Sequence, residues 1–148
     1  MSEVFVMYEY ETYTTWEADP NDPWGRDSSG IHVRCLGVTT DDDPYGRAYS
    51  YTRNTVHGDE VKAGDTVHVV WTHYGDGDTF GNDEYFETLG VFTDLDLAKE
   101  FVKELRDPKA QEYLAESKVL PGTTLIVPWR GYFASFISLD IETFVVSK

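Results

Sequence analysis

Apolar residues recur along the chain with two different spacings, and the contrast is clearest between Val67 and Leu105. Val67-His68-Val69-Val70-Trp71-Thr72-His73-Tyr74 is a β-branched and aromatic run that predicts a buried strand. Tyr85 to Phe92 predicts a second strand, and a turn-rich acidic loop from Gly75 to Glu84 separates the two. Beyond Thr93 the apolar positions become Leu97, Ala98, Phe101, Val102 and Leu105, the stripe of a helix spanning about 94–106. Thr93 and Asp96 stand in capping-box relation at its start, Lys103 and Arg106 lie near its end, and Asp107-Pro108 stops it.

The rest of the chain is mostly strand and turn. Glu3 to Trp16 predicts a long strand with Val4, Val6, Tyr8 and Tyr10 on one face and Phe5, Met7 and Tyr13 on the other. It either starts central and ends exposed or runs past its neighbours into a projecting hairpin. Asp19 to Gly30 has the composition of a loop, and Ile31 to Thr40 returns as a strand ended by a solvated turn at Asp41-Asp42-Asp43-Pro44. Tyr45 to Thr55 is a weaker strand, and a tight turn at Ala63-Gly64-Asp65 feeds Val67. Pro108 opens a short second helix through Lys118, anchored by Tyr113 and Leu114. Leu125 to Val127 is a short strand or connector, and Leu139 to Val146 closes the series, with Leu139, Ile141 and Val145 alternating against Asp140 and Glu142. These elements predict a single α+β domain over 1–148. Its twisted, mainly antiparallel sheet carries one principal helix on one face and a short second helix.

A chain of 148 residues with 41% hydrophobic residues buries enough surface to fold without disulfides. Its 15% aromatic share exceeds what a small core uses, so some aromatics are expected in an oligomer contact or a ligand site, and a homo-oligomer is expected. Asp and Glu number 27 against 12 Lys and Arg, a formal charge of −15, which argues against binding nucleic-acid phosphates or anionic lipid. The charge suits a solvated surface, docking on a basic partner, or divalent-cation binding. Cys35 is the single cysteine and alternates with Ile31 and Val33, opposite His32 and Arg34, which predicts a small buried hydrophobe instead of a nucleophile. Without a basic, apolar leader or an apolar run of about 18 residues, the chain reads as soluble and cytoplasmic.

Candidate chemistry is sparse. Asp76-Gly77-Asp78 with Gly81 starts like a calcium loop, but Phe80 stands where an oxygen ligand belongs, so no metal is expected. His68 and His73 lie five apart on a strand and face opposite sides, so they do not chelate together. No nucleophile motif, phosphate-cradling loop or metalloprotease motif occurs, and no catalytic residue or cofactor is expected. Trp129, Arg130 and Tyr132 in an aromatic turn can stack on a planar ligand while the guanidinium reads an anionic group. Asp78, Thr79 and Phe80 in the acidic loop, and Trp24 in the segment rich in Pro and Gly, complete the candidate ligand- or partner-binding set.

Asp78-Thr79-Phe80-Gly81 after a strand, Gly90-Val91-Phe92-Thr93 leading into a helix, and Trp129-Arg130-Gly131-Tyr132-Phe133 near the end together resemble small phage and prophage proteins. The resemblance covers roughly Val67 to Val146 and carries no established activity. It implies a phage or mobile-element origin. The functional expectation is a non-enzymatic acidic binder that counteracts a host defence factor through a basic surface on that factor. A protein that sequesters a small anionic, nucleotide-type ligand and a structural virion component are the alternatives.

Overall fold

The computed structural model describes residues 2–19, 22–41, 50–75, 84–105, 114, 117–128 and 137–148, with side chains described for 2–9, 33–41, 50–72, 86–105, 114, 117–127 and 139–148. Seven strands and one helix follow in the order β1 (Glu3–Asp19), β2 (Asp22–Thr39), β3 (Ser50–His57), β4 (Thr66–Gly75), β5 (Glu84–Phe92), α1 (Leu95–Glu104), β6 (Thr124–Pro128) and β7 (Ile137–Val145). They form one sheet in the order β2-β1-β3-β5-β4-β7-β6. Every pairing is antiparallel except β3 with β5, which meet in parallel at Val56↔Val91 and His57↔Phe92.

The sheet buries both faces because it curls on one side and carries the helix on the other. Val67, Val69 and Trp71 of β4 join Val4, Val6 and Tyr8 of β1 and Val33, Cys35 and Val38 of β2 in one cluster. Three strands separate β2 from β4 in the sheet, so their side chains meet only across a concave surface. Backbone bonds close the curl at one end: Ser147 N–H donates to Val38 O at 2.9 Å, and Thr40 N–H donates to Ser147 O at 3.0 Å. On the opposite face Val70, Leu139, Ile141 and Val127 pack against Ala98 and Val102 of α1, with Leu114 and Val119 from the segment after it. The run Val67–Tyr74 is apolar on both faces for this reason.

Bulges set which side chains share the concave face. The β1–β2 register passes from Met7↔Gly37 to Tyr8↔Cys35, leaving Leu36 as an extra residue, so Val38 joins the same cluster as Cys35. The β4–β5 register likewise passes from Val70↔Gly90 to Trp71↔Thr88, skipping Leu89.

Several expectations are corrected. Asp22 to Gly30 is strand and not loop, because it pairs with β1 from Tyr13↔Gly30 to Glu17↔Arg26 and, after a register shift, at Asp19↔Asp22. Gly30 is taken into the ladder opposite Tyr13, whereas Pro23 and Gly25 fall where the register shifts between Glu17↔Arg26 and Asp19↔Asp22. The helix is capped by Asp94, whose carboxylate accepts from Asp96 N–H at 2.9 Å, and not by Thr93. The hydroxyl of Thr93 instead accepts from Asp59 N–H at 3.2 Å. Leu97 is 45% exposed, and Leu95 packs on the core in its place. Asp140 and Glu142 do not form a solvent face: Asp140 is buried and Glu142 half-buried. Ser117 and Lys118, the expected end of the second helix, are not helical, and most of that segment lies outside the described residues. The turn at Ala63–Gly64 is as expected, with Asp65 N–H donating to Lys62 O at 3.1 Å and Gly64 at φ +98°. Among the described residues no helix is long and apolar enough to cross a membrane.

Candidate functional site

One end of the sheet gathers the segments that the sequence singles out. Tyr8 pairs with Ser50 at the start of β3, and β3 runs parallel to β5, so β1 leaves the body of the sheet at the end where β5 begins. At that same end Gly75 pairs with Glu84, Tyr74 with Ile137, and Pro128 with Ser138. The strand ends that flank three segments therefore share one end: the outer part of the β1–β2 hairpin, residues 76–83 and residues 129–136. Asp78, Thr79, Phe80, Trp129, Arg130 and Tyr132 lie outside the described residues. Trp24 lies in β2 where the register with β1 shifts between Glu17↔Arg26 and Asp19↔Asp22, and its side chain is not among those described.

The hairpin is the distinctive part of this end. Pairing of β1 with β3 covers Glu3 to Tyr8, whereas pairing of β1 with β2 continues to Asp19↔Asp22. Among the described residues, Glu9 to Asp19 therefore has a strand neighbour on one side alone. Comparison with protein families, curated proteins and solved structures finds no match to this chain. The chemistry of the end has to be read from its residues. The hairpin between Glu9 and Arg34 carries six acidic residues against Arg26 and Arg34, and the segment 76–84 carries four acidic residues and no Lys or Arg. Arg34 is already paired with Glu9 at 2.7 Å across the hairpin root.

Beneath this end, on the concave face, lies a polar and aromatic cluster. The extra residue at Leu89 turns Phe86 and Thr88 onto the face of Val91, toward Tyr8. Tyr8 stacks on Phe86 at 4.2 Å between centroids and meets the edge of Trp71 at 5.5 Å. Its hydroxyl bonds to the Thr88 hydroxyl, which bonds to that of Thr52 at 2.7 Å, and Asn54 Nδ2 donates to Thr52 Oγ1 at 2.9 Å. Trp71 Nε1–H donates to Glu142 Oε2 at 3.1 Å. Burial pushes the Cys35 thiol well up, and the negative charges of Glu142 and then Asp140 push in the same direction, so Cys35 stays a neutral thiol. Burial likewise pushes the Tyr8 phenol up, and its hydroxyl bonds to threonines instead of a carboxylate. Neither group is activated for nucleophilic attack. His68, on the helix face, is buried with Nδ1 at 2.7 Å from Thr143 Oγ1, and burial lowers its pKa despite the opposing pull of Asp94. Among the described residues no group of three His, Cys, Asp or Glu converges as metal ligands.

The sequence gives one missed signal for this cluster. Asp140 and Glu142 share strand parity with Phe144, and they become inward-facing once the sheet curls. Burial raises the pKa of Glu142, opposed by hydrogen bonds from Trp71 and Thr124 and by Arg34. The folded state then prefers the protonated form, so this carboxyl costs stability as pH rises from the ordinary carboxylate range through its raised pKa. Glu142→Gln keeps an oxygen for Trp71 and removes that charge. The variant is expected to match the native protein near pH 4, to melt at higher temperature than it at pH 7, and to flatten the decline between. Thermal melts at a series of pH values check this; a variant less stable at pH 7 would show that the charge itself is needed.

Proposed function

We propose that this protein is a non-enzymatic binding protein that engages a basic surface on a partner through the hairpin end of its sheet. The single observation that carries the reading is the continuation of β1 and β2 past Tyr8 as a two-stranded ribbon rich in acid. A two-stranded ribbon is marginal on its own in water, so extending it needs a reason beyond folding. An acidic ribbon, at the end of the sheet where the acidic segment 76–83 is rooted, concentrates negative potential there and steers a positively charged partner to it. The unactivated state of Cys35 and Tyr8 favours binding over covalent chemistry. A phage origin, with a host defence factor as the partner, is consistent with the resemblance of Val67–Val146 to small phage proteins.

The test is kinetic. A partner captured from bacterial lysate is purified, and its association is followed for the native protein and for a variant carrying Glu11→Gln, Glu17→Gln, Asp19→Asn and Asp22→Asn. Steering predicts an on-rate that falls about tenfold or more from low salt to physiological salt and a similar loss in the variant at low salt. An on-rate indifferent to both would reduce the charge to a solubility device. A nucleotide-type ligand is the second reading, supported by the shared root of the Asp78–Phe80 and Trp129–Tyr132 segments, with Arg130 as its cation. In that case Arg130→Ala abolishes most ligand binding and leaves protein association unchanged.

A further inference from the structure

Residues 58–65 divide the sheet into two halves that are contiguous in sequence. β1, β2 and β3 form one half, and β4, β5, β6 and β7 with α1 form the other. Among the described residues two backbone junctions join the halves, and both lie at the end remote from the hairpin. β3 pairs with β5 at Val56↔Val91 and His57↔Phe92, and β2 meets the end of the chain at the bridge Thr39↔Ser147. The covalent link is tied down at that same end. Val61 N–H donates to Ser2 Oγ at 2.9 Å, and Gly64 N–H donates to Val146 O at 2.9 Å.

Toward the hairpin the halves are held by side chains. Val56 N–H donates to Ser2 O at 2.8 Å, so by the alternation of an antiparallel ladder Tyr51, Arg53 and Thr55 turn their backbone groups away from β1 and toward β5. None of these three pairs with β5 among the described residues. The positions of β3 on the concave side pass from half-buried Ser50, Thr52 and Asn54 to buried Val56. β5 grades in the same direction, from half-buried Phe86 and Thr88 to buried Val91. The contact here is Tyr8 against Phe86 and Trp71, together with the joined hydroxyls of Tyr8, Thr88 and Thr52.

We propose that the two halves open as units, pivoting about the remote junctions, with the contacts of Tyr8 as the latch that keeps them closed. Opening breaks side-chain contacts and leaves the ladders within each half paired. It exposes Tyr8, Cys35 and Trp71 to water, so the closed state dominates. Global unfolding exposes these and also the cluster of Val70, Ala98, Val102, Leu139 and Ile141 beneath α1, which opening leaves untouched. Opening is therefore the less costly of the two events. The hairpin moves with its half, so its direction relative to the helix-bearing half becomes adjustable.

Cys35 reports the event. It is the single cysteine, lies on the concave face at 4% exposure, and reacts when uncovered. The whole native chain is treated with an excess of an uncharged maleimide, and the uncovered fraction is compared with the unfolded fraction extrapolated from urea denaturation. Cys35 is expected to be uncovered about tenfold or more often than the chain is unfolded, and its labelling to rise less steeply with urea than unfolding does. Thr52→Cys with Thr88→Cys then ties β3 to β5, because the hydroxyl oxygens they replace lie 2.7 Å apart. The oxidised variant should label at Cys35 about tenfold or more slowly than the native protein, a loss larger than its gain in global stability explains. Unzipping of the hairpin from its tip also uncovers Cys35, but a bond between β3 and β5 does not restrain it. Native labelling that follows global unfolding overturns the proposal on its own. So does labelling that the cross-link slows by no more than the gain in global stability.

Discussion

Tyr8→Ala is expected to cost about 3–5 kcal/mol of folding stability, the range for deleting a large buried aromatic. Tyr8 has no solvent exposure and is among the largest fully buried side chains. It is held between Phe86 and Trp71, two rings brought to it by different strands. Alanine would leave a cavity that three strands border, and a closely paired sheet has little freedom to collapse into it. Tyr8→Phe separates packing from hydrogen bonding. It keeps both ring contacts and removes the hydroxyl, while Thr88 and Thr52 retain each other. Its cost should be near 1 kcal/mol, the net worth of an ordinary hydrogen bond. Urea denaturation of both variants checks the pair. Equal losses would mean that the hydroxyl chain, and not the aromatic stack, holds the concave face.

Gly58→Ala is expected to cost about 2–4 kcal/mol, from backbone strain together with a steric clash. Gly58 has φ +116°, a conformation that side-chain-bearing residues rarely adopt. A Cβ built there would lie 2.0 Å from Thr93 Oγ1, the oxygen that accepts from Asp59 N–H. The two contributions separate in a double-mutant cycle with Thr93→Ala. Removing the hydroxyl relieves the clash and leaves the strain, so the double variant should be less destabilised than the two single losses combined. Strict additivity would show that Thr93 moves aside freely and that the strain alone matters.

The elements legible in the sequence are those whose local pattern and tertiary role agree. Val67–Tyr74 reads as a buried strand because its run is β-branched and aromatic, and Val67 to Thr72 are buried on both faces. The helix reads correctly from Ala98 and Val102, whereas the stripe drawn through Leu97 is one residue too wide. The overrun of β1 into a projecting hairpin was one of two readings open in the sequence, but its return strand was hidden because Pro23, Gly25 and Gly30 mark turns locally, and the partner of that strand lies in β1. Asp140 and Glu142 looked like a solvent face for a similar reason: parity is local, but what covers each face depends on curl. The functional candidates were legible as residue types. The structure adds the common end at which their flanking strands meet, a relation set by strand order and invisible to spacing along the chain.

The seam between Val38–Thr40 and Ser147 has a consequence for how the molecule is made. The hydroxyl of Thr39 donates to the Ser147 carbonyl at 3.1 Å across 108 positions of sequence. Closing a loop of that length is slow compared with forming a hairpin. Synthesis delivers β1 and β2 first, with Val4, Val6, Tyr8, Val33 and Cys35 facing a concavity whose far wall, β4, β5 and β7, is translated later. Until β7 emerges from the ribosome, the nascent chain presents that apolar surface to the cell. The early hairpin is therefore the part of the chain most exposed to misassembly during synthesis, and fast synthesis of the second half shortens that interval.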